Sequence, residues 1–245
     1  MIITMRSVAY FAFLCLSTLI YATAILLVAL WRPFTTRCRI ANAWGKANLT
    51  ALRIICRLDY QVTGLENIPS ENCIIMAKHQ STWETIALRG ILPSMQTWVL
   101  KRELLAIPFF GWALRVLEPI AIDRTEGSKA VRQLITQGIN ALQKGRWIMI
   151  FPEGTRVAQG ERKKYSIGGA LLAEKSGYPI LPIAHNAGVY WKRRGLRKLS
   201  GTIHVIIGPK IYTSGKKASQ INNEVELWIE SQLERLPTLP TEKIT

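Results

Sequence analysis

The sequence is short of cysteine, histidine and acidic residues, and it lacks several motifs that define known classes of site. Among its 245 residues are four cysteines and three histidines. The cysteines have no C-x-x-C spacing, which disfavours a zinc site or a dithiol redox centre. No G-x-S-x-G segment occurs, so the chain lacks the nucleophile elbow of the α/β-hydrolases. An internal repeat and a low-complexity tract are also absent, which disfavours a repeat architecture.

Acidic residues number only 16 against 32 lysines and arginines, which gives a formal net charge of +16. A field of this sign attracts anionic lipid surfaces, phosphates, acidic carrier proteins and nucleic acid, and charge alone does not choose among them. A basic stretch from Lys192 to Lys198 directly follows Tyr190 and Trp191. This composition is typical of a membrane interface, although a solvated loop has it too. We expect a membrane lipid as a partner and no nucleic acid.

Charged residues are missing from the 25 positions between Ser7 and Trp31. As a helix this run would span roughly 37 Å, more than the hydrocarbon core of a bilayer. A cleavable signal peptide is the alternative, but its apolar region is shorter, about 7 to 15 residues. Arginines 32, 37 and 39 follow the run and only Arg6 precedes it. This bias predicts an anchor in the inner membrane with the rest of the chain on the cytoplasmic side.

The remaining sequence predicts an α/β fold. Apolar residues at helical intervals from Ile40 to Leu58 predict a second helix, lying on the membrane. Short apolar runs then predict strands over residues 73–77, 97–100, 120–122, 147–151, 180–184 and 202–207. Helical patterns cover residues 82–89, 127–143, 168–175 and 218–236. This alternation predicts a mostly parallel central sheet flanked by helices. We expect a membrane segment over residues 1–59, one α/β domain over 60–236 and a loose tail over 237–245.

His79 lies two positions after the first of these strands, and Glu84 stands five positions further on. An imidazole at a strand end with a carboxylate one helical turn away can form a base that deprotonates a hydroxyl. The alternative is a helix capping box, Ser81-x-x-Glu84, in which the carboxylate binds backbone N–H groups and never meets the imidazole. His185 and His204 lie in strand-like stretches and are expected to be packed or surface residues.

Cations close two other apolar runs. Lys101 follows the strand at residues 97–100, and Arg124 follows the strand at residues 120–122. Ligands of open α/β sheets gather beyond the carboxyl ends of the strands, so these cations could hold a phosphate there. Pairing of Arg124 with Asp123, or plain exposure to solvent, is the alternative. The segment from Ile107 to Trp112 would offer an apolar wall for a fatty chain, or simply fill the core.

A third motif begins at the last residue of the strand at residues 147–151. It is Phe151-Pro152-Glu153-Gly154-Thr155-Arg156. Gly154 lets the backbone approach a ligand closely, and the N–H groups around it, including that of Thr155, point to an anion site. Arg156 can bind a phosphate through two parallel hydrogen bonds. Taken alone, such a turn is weak evidence of function.

In combination these blocks resemble the glycerolipid acyltransferases. The order is H-x-x-x-x-E, then K-x-E-L with I-P-F-F-G-W and I-D-R, then F-P-E-G-T-R, then Y-P-I-L-P-I-A, running from His79 to Ala184. The pattern is most similar to the members that acylate lysophosphatidate. Two positions depart from it, since the family commonly has Asp where this chain has Glu84, and often Ser where it has Val157. Glutamate adds one methylene, which a small rotation of the helix could absorb.

The resemblance implies transfer of a fatty acyl group from acyl-CoA or acyl carrier protein to the free hydroxyl of 1-acyl-glycerol 3-phosphate. The product would be phosphatidic acid, for phospholipid synthesis. His79 would be the general base and Glu84 would fix its tautomer. The substrate would be bound by Lys101, Arg124, Glu153, Gly154, Thr155 and Arg156. The implied chemistry calls for no metal and no other cofactor.

Two other functions remain compatible with the residues. An acyltransferase acting on a different lysolipid acceptor would share the chemistry. A non-catalytic basic membrane or nucleic-acid-binding protein would explain the charge and the anchor, but not the spacing of His79, Glu84 and Arg156.

Overall fold

A seven-stranded sheet forms the centre of the computed structural model, which describes residues 1–238 apart from the side chain of Arg124. The strands are β1 Leu58–Thr63, β2 Ile74–Ala77, β3 Gln96–Lys101, β4 Ile120–Ile122, β5 Trp147–Ile150, β6 Ile180–His185 and β7 Gly201–Ile207. Their order across the sheet is β1-β7-β6-β2-β5-β3-β4, and neighbours are parallel except β6 and β7. The predicted α/β fold with a mostly parallel sheet is confirmed.

Eight helices accompany the sheet in the described part of the chain. They are α1 Ile2–Val28, α2 Phe34–Ala51, α3 Trp83–Ile91, α4 Phe110–Val116, α5 Ser128–Gln143, α6 Gly168–Ser176, α7 Ala187–Tyr190 and α8 Ala218–Arg235. Side chains of α2 and α3 join one core cluster with Ile75 and Ala77 of β2. Side chains of α5, α6 and α8 join a second cluster with Ile74 and Met76. Because helices cover both faces, every residue of β2 is buried, as is usual for parallel sheets.

The predicted helix from Ile40 to Leu58 is wrong at both ends. Helix α2 starts at Phe34 and ends at Ala51, and a π-helical turn, Leu52–Cys56, follows it. Arg57 then takes a left-handed conformation (φ 52°), which stops the helix, and β1 begins at Leu58. Sequence spacing put Leu58 on the apolar face of a helix, whereas it reaches the core from a strand that was not predicted. Helices α4 and α7 were not predicted either.

Helix α1 is long and apolar enough to cross a membrane, with a mean hydropathy of 2.3 over its most apolar window. Only 17% of that window is buried, unlike a helix in the core of a globular domain. Its buried side packs along the body of the protein. The Tyr10 hydroxyl bonds to the Asn48 amide oxygen of α2 at 3.3 Å, and further along Ala22 and Ile25 contact α2 and α4. The helix is therefore fixed against the domain and not extended away from it.

The division of the chain at residues 59 and 60 remains a prediction. Tyr10 and Leu52 share a core cluster with α3 and the central strands, so the first segment packs against the predicted catalytic domain. Of the predicted tail over 237–245, residues 239–245 lie outside the described residues.

Helices α2 and α3 touch backbone to backbone at two glycines. A Cβ added at Gly45 would lie 2.7 Å from the Gly90 nitrogen and 2.8 Å from the Ile86 oxygen. A Cβ at Gly90 would lie 2.9 Å from the Lys46 nitrogen. Only glycine allows this approach, and α3 carries Glu84.

We predict that Gly45→Ala lowers the free energy of unfolding by about 1 to 3 kcal/mol, because the methyl group would overlap backbone that has little room to move. Thermal unfolding in one detergent measures the effect. Thr50→Ala, at an exposed position of the same helix, is the matched control. An unchanged midpoint for Gly45→Ala would contradict the close packing of the two helices.

Candidate active site

His79 lies in the tight connection between β2 and α3. The strand ends at Ala77 and the helix begins at Trp83, so a short loop carries the ring past the carboxyl edge of the sheet. Its side chain is 13% exposed, which leaves an edge of the imidazole open to solvent. The ring of Phe151 stacks on it at 4.1 Å between centroids, with 14° between the planes. The ring is thus held in one orientation and stays reachable.

Glu84 contacts this imidazole and, at the same time, the backbone of the loop before α3. Its Oε1 lies 2.8 Å from His79 Nδ1, and it also accepts hydrogen bonds from the N–H groups of Gln80 at 2.8 Å and Ser81 at 2.7 Å. One oxygen thus binds backbone N–H groups, as the capping alternative required, and also the imidazole, which that alternative excluded. Since an ionised carboxylate can only accept, Nδ1 carries the proton and Nε2 of a neutral His79 has a free lone pair.

The Glu84 carboxylate is ionised although it is fully buried. Burial alone would raise its pKa, but His185, His79 and the Ser81 N–H outweigh that effect and hold the pKa below its usual value. A fixed negative charge beside Nδ1 stabilises an imidazolium, so it makes the exposed Nε2 a better proton acceptor.

His185 stands behind this pair and had been expected only to pack or to lie on the surface. Its Nε2 donates to the Lys78 carbonyl at 2.8 Å, and its Nδ1 accepts from the Ala187 N–H at 3.3 Å. Burial lowers the pKa of this histidine, and the neighbouring Glu84 carboxylate opposes that shift. The bond holds the backbone immediately before His79, so His185 is a packed residue that also supports the site.

The turn after β5 binds both the carbonyl and the N–H group of His79. The Val157 N–H donates to the His79 carbonyl at 2.8 Å, and the His79 N–H donates to Glu153 Oε1 at 3.3 Å. Position 157 thus acts through its backbone, and its valine side chain is buried. The F-P-E-G-T-R motif positions the imidazole through these contacts and through the stacked Phe151.

Glu153 is buried and paired with another side chain, and the substrate-binding role predicted for it remains a prediction. Its side chain is buried, and its Oε1 lies 3.1 Å from the Lys78 ammonium. Lys78 also contacts Glu230 of α8 at 2.7 Å, and the Tyr165 hydroxyl donates to the same Glu230 oxygen at 3.0 Å. The sequence could not show this because α8 lies far along the chain from His79. Glu153 belongs to a buried ionic cluster beneath the site.

The glycine and the two residues after it in the motif form a corner with a neighbouring loop. Gly154 has a left-handed conformation (φ 68°), and an added Cβ would meet nothing within 4 Å, so its outer side is open. Arg156 is half-buried, and its Nη1 donates to the Arg193 carbonyl at 3.4 Å. Arg193 Nη2 donates to the Thr155 hydroxyl at 3.4 Å. Arg193 is not among the predicted site residues, because its basic stretch was interpreted as either a membrane-facing or a solvated loop.

Lys101 and Arg124 lie on the same edge of the sheet but further out. Lys101 ends β3, two strands from β2, and its exposed ammonium pairs with Glu103. Arg124 begins a short 3-10 turn just after β4, three strands from β2, and its side chain lies outside what the structure describes. At about 4.8 Å between strands, these positions are roughly 10 and 14 Å from β2 across the sheet. At these distances, Lys101 and Arg124 could contact a ligand that extends from His79 along the carboxyl edge of the sheet.

A mostly parallel sheet with polar side chains gathered beyond the carboxyl ends of its strands is the architecture of an α/β enzyme. The acyltransferase family model matches residues 59–186, which include His79, Glu84 and the F-P-E-G-T-R motif. The chain belongs to this acyltransferase family, and it is an enzyme.

Relatives along most of the chain agree with this assignment. A 1-acyl-sn-glycerol-3-phosphate acyltransferase of Pseudomonas aeruginosa is 44% identical over 91% of this chain and 88% of that protein. An enzyme of the same name from Helicobacter pylori is 36% identical over 56% of this chain and 60% of its own length. The crystal structure of the 1-acyl-sn-glycerophosphate acyltransferase PlsC from Thermotoga maritima covers 94% of both chains, with a TM-score of 0.80 and 22% identity. That structure supports the fold.

We predict that Glu84 stabilises the protein in a pH-dependent manner. Because its pKa is lower in the folded state, its contribution is complete above the ordinary glutamate pKa of about 4.3 and is lost as the pH falls through the lower folded value. The difference in unfolding free energy between the wild type and Glu84→Gln should therefore shrink on acidification. Chemical denaturation at a series of pH values measures it, and a difference that stays constant would contradict the ionised, buried carboxylate.

Proposed function

We propose that this enzyme transfers a fatty acyl group from a thioester to the free hydroxyl of 1-acyl-glycerol 3-phosphate and forms phosphatidate for phospholipid synthesis. The observation that carries the proposal is the hydrogen bond between His79 Nδ1 and Glu84, which leaves Nε2 as a base at the rim of the sheet. The activity in the names of the Pseudomonas and Helicobacter relatives supports the same substrate.

The reaction needs one base and no acyl-enzyme. His79 Nε2 takes the proton of the lipid hydroxyl while the hydroxyl oxygen attacks the thioester carbonyl carbon. The Glu84 carboxylate stabilises the imidazolium that forms. When the tetrahedral intermediate collapses, the carbon–sulfur bond breaks and the imidazolium returns its proton to the thiolate. The products are an ester and a free thiol, and His79 is neutral again.

The substrate phosphate would lie at the corner formed by Gly154, Thr155 and Arg156. The open side of Gly154 admits an anion close to the backbone, and the half-buried Arg156 offers a guanidinium that is already partly desolvated. Lys101 and Arg124 would contact the more distant parts of the lipid headgroup or the donor. Glu153 would also position the base, because its Oε1 accepts a hydrogen bond from the His79 N–H.

The acyl donor would be acyl-CoA or an acyl carrier protein. Both are anionic, and the net charge of +16 favours either of them. We propose that the apolar α1 associates the enzyme with the inner membrane and that the catalytic domain faces the cytoplasm. A different lysolipid acceptor is the main alternative, because the same base and cations would serve it.

We predict that His79→Ala lowers the rate of acyl transfer by about 10² to 10⁴, the usual contribution of a general base. Purified protein is incubated with lysophosphatidate and either acyl-CoA or acylated carrier protein, and phosphatidate and released thiol are measured. His204→Ala is the matched control, since it removes another half-buried imidazole. Near-normal turnover by His79→Ala would reject the mechanism. Parallel assays with other lysophospholipids and glycerol 3-phosphate identify the acceptor.

We predict that Arg156→Ala chiefly raises the KM for lysophosphatidate, because a charge-assisted contact to the phosphate is lost. The KM for the thioester should change little. Arg132→Ala, an exposed arginine of α5 on the other side of the sheet, is the control. If the saturation curve for lysophosphatidate is unchanged, Arg156 does not bind the phosphate.

A further inference from the structure

Two long segments of this sequence contain no acidic residue at all. The first acidic residue of the chain is Asp59, and none lies between Glu174 and Glu224. Seven lysines and arginines lie in the first segment and nine in the second, and these 16 cations equal the formal net charge of +16. Such an uneven distribution indicates a surface that binds something anionic.

The two acid-free segments meet in the structure at the start of α1. The Lys198 backbone N–H donates to the Ser7 hydroxyl at 2.9 Å, and its ammonium donates to the Ser7 carbonyl at 3.4 Å. Nearby, the Gly201 N–H donates to the Arg57 carbonyl at 3.0 Å. The loop before β7 is therefore joined both to α1 and to the turn before β1.

This junction exposes five cations, which we call the basic rim: Arg53, Arg57, Lys192, Arg194 and Arg197. Within residues 1–238, none of the five forms a salt bridge. Exposed cations elsewhere do form them, as Arg102 does with Glu126 and Lys216 with Glu224. The charge of the rim is thus left available to a partner.

The loop that carries three of these cations has a defined shape. The Trp191 indole donates to the Gly195 carbonyl at 3.1 Å, and the Gly195 N–H donates to the Lys192 carbonyl at 3.0 Å. Lys198, itself buried, lies 4.5 Å from the centre of the Trp191 ring. A shaped loop loses less conformational entropy on binding than a flexible one.

Exposed apolar side chains stand among these cations. Ile54 of the π-helical turn is 71% exposed, Leu196 of the loop is 45% exposed, and Met5 at the start of α1 is 63% exposed. Mixed cationic and apolar exposure fits a lipid bilayer, whose surface offers phosphates above hydrocarbon. An acidic protein or a nucleic acid would use the cations but would leave the apolar groups in water.

The same loop also reaches the candidate active site. Arg193, between the rim residues Lys192 and Arg194, contacts Thr155 through its guanidinium and Arg156 through its carbonyl. A surface that rests on lipid headgroups through the rim therefore holds the Thr155 and Arg156 corner close to the interface.

We propose that the basic rim binds the anionic headgroups of a phospholipid bilayer and sets the orientation in which the enzyme meets a lipid acceptor. Binding through the rim is a property of the surface alone. Only the consequence for the acceptor depends on the proposed function.

The test measures vesicle binding of the full-length chain without any acyl donor. Vesicles of phosphatidylcholine alone are compared with vesicles of equal parts phosphatidylcholine and phosphatidylglycerol. Arg194→Gln with Arg197→Gln should bind the anionic vesicles about 30-fold more weakly, which is roughly fivefold for each charge lost near the surface. Binding to the uncharged vesicles should not change. The variant should also show a weaker dependence on salt.

Two further variants make the result decisive. Arg132→Gln with Lys144→Gln removes the same charge from α5 and the residue directly after it, on the opposite face of the sheet, and should bind as the wild type does. Arg194→Lys with Arg197→Lys keeps the charge and should retain binding.

Equal binding of anionic vesicles by the rim variant and the wild type would overturn the proposal, as would an equal loss on uncharged vesicles. Normal vesicle binding with lost binding of acyl carrier protein would assign the rim to that protein instead. Acyl transfer plays no part in these measurements, so their outcome is independent of the proposed reaction.

Discussion

The site depends on one buried carboxylate oxygen. Glu84 Oε1 accepts hydrogen bonds from two backbone N–H groups and from the His79 imidazole, and these donors keep a fully buried charge ionised. An unpaired charge at this depth would take up a proton, and the imidazole would lose its partner. The start of α3 and the tautomer of His79 are therefore fixed by the same atom. Anything that moves α3, such as a larger residue where it touches α2, would disturb the base as well as the helix.

Around that atom, the protein supports His79 with groups that need not meet the substrate. His185 holds the carbonyl of Lys78, Val157 and Glu153 hold the backbone of His79, and Phe151 stacks on its ring. These supports come from β6 and from the turn after β5, the two neighbours of β2 in the sheet. A parallel sheet brings the carboxyl ends of its strands to one edge, so segments distant in sequence can hold a single side chain.

Much of this arrangement could be predicted from the sequence, because its signals are local. The central strands are buried on both faces and appear as apolar runs, and His79 with Glu84 has a spacing that permits contact. β1 was missed because it follows a helix without a break in the apolar pattern, and the left-handed turn at Arg57 leaves no mark in composition. The place of Glu153 depends on Lys78 and Glu230, and that of Arg193 on Thr155. Such pairings are long-range and become visible only when the chain is folded.

The junction of Lys198 with Ser7 has a consequence for biosynthesis. The two residues are 191 positions apart, and β1 likewise pairs with β7 alone among the described strands. When α1 leaves the ribosome, the loop around Lys198, which binds its start, has not yet been translated. Helix α2 can pack on α1 soon after it is made, but the start of α1 must contact lipid or a chaperone until the loop around Lys198 has been translated. The contact between the start of α1 and the loop around Lys198 is therefore one of the last to form during folding.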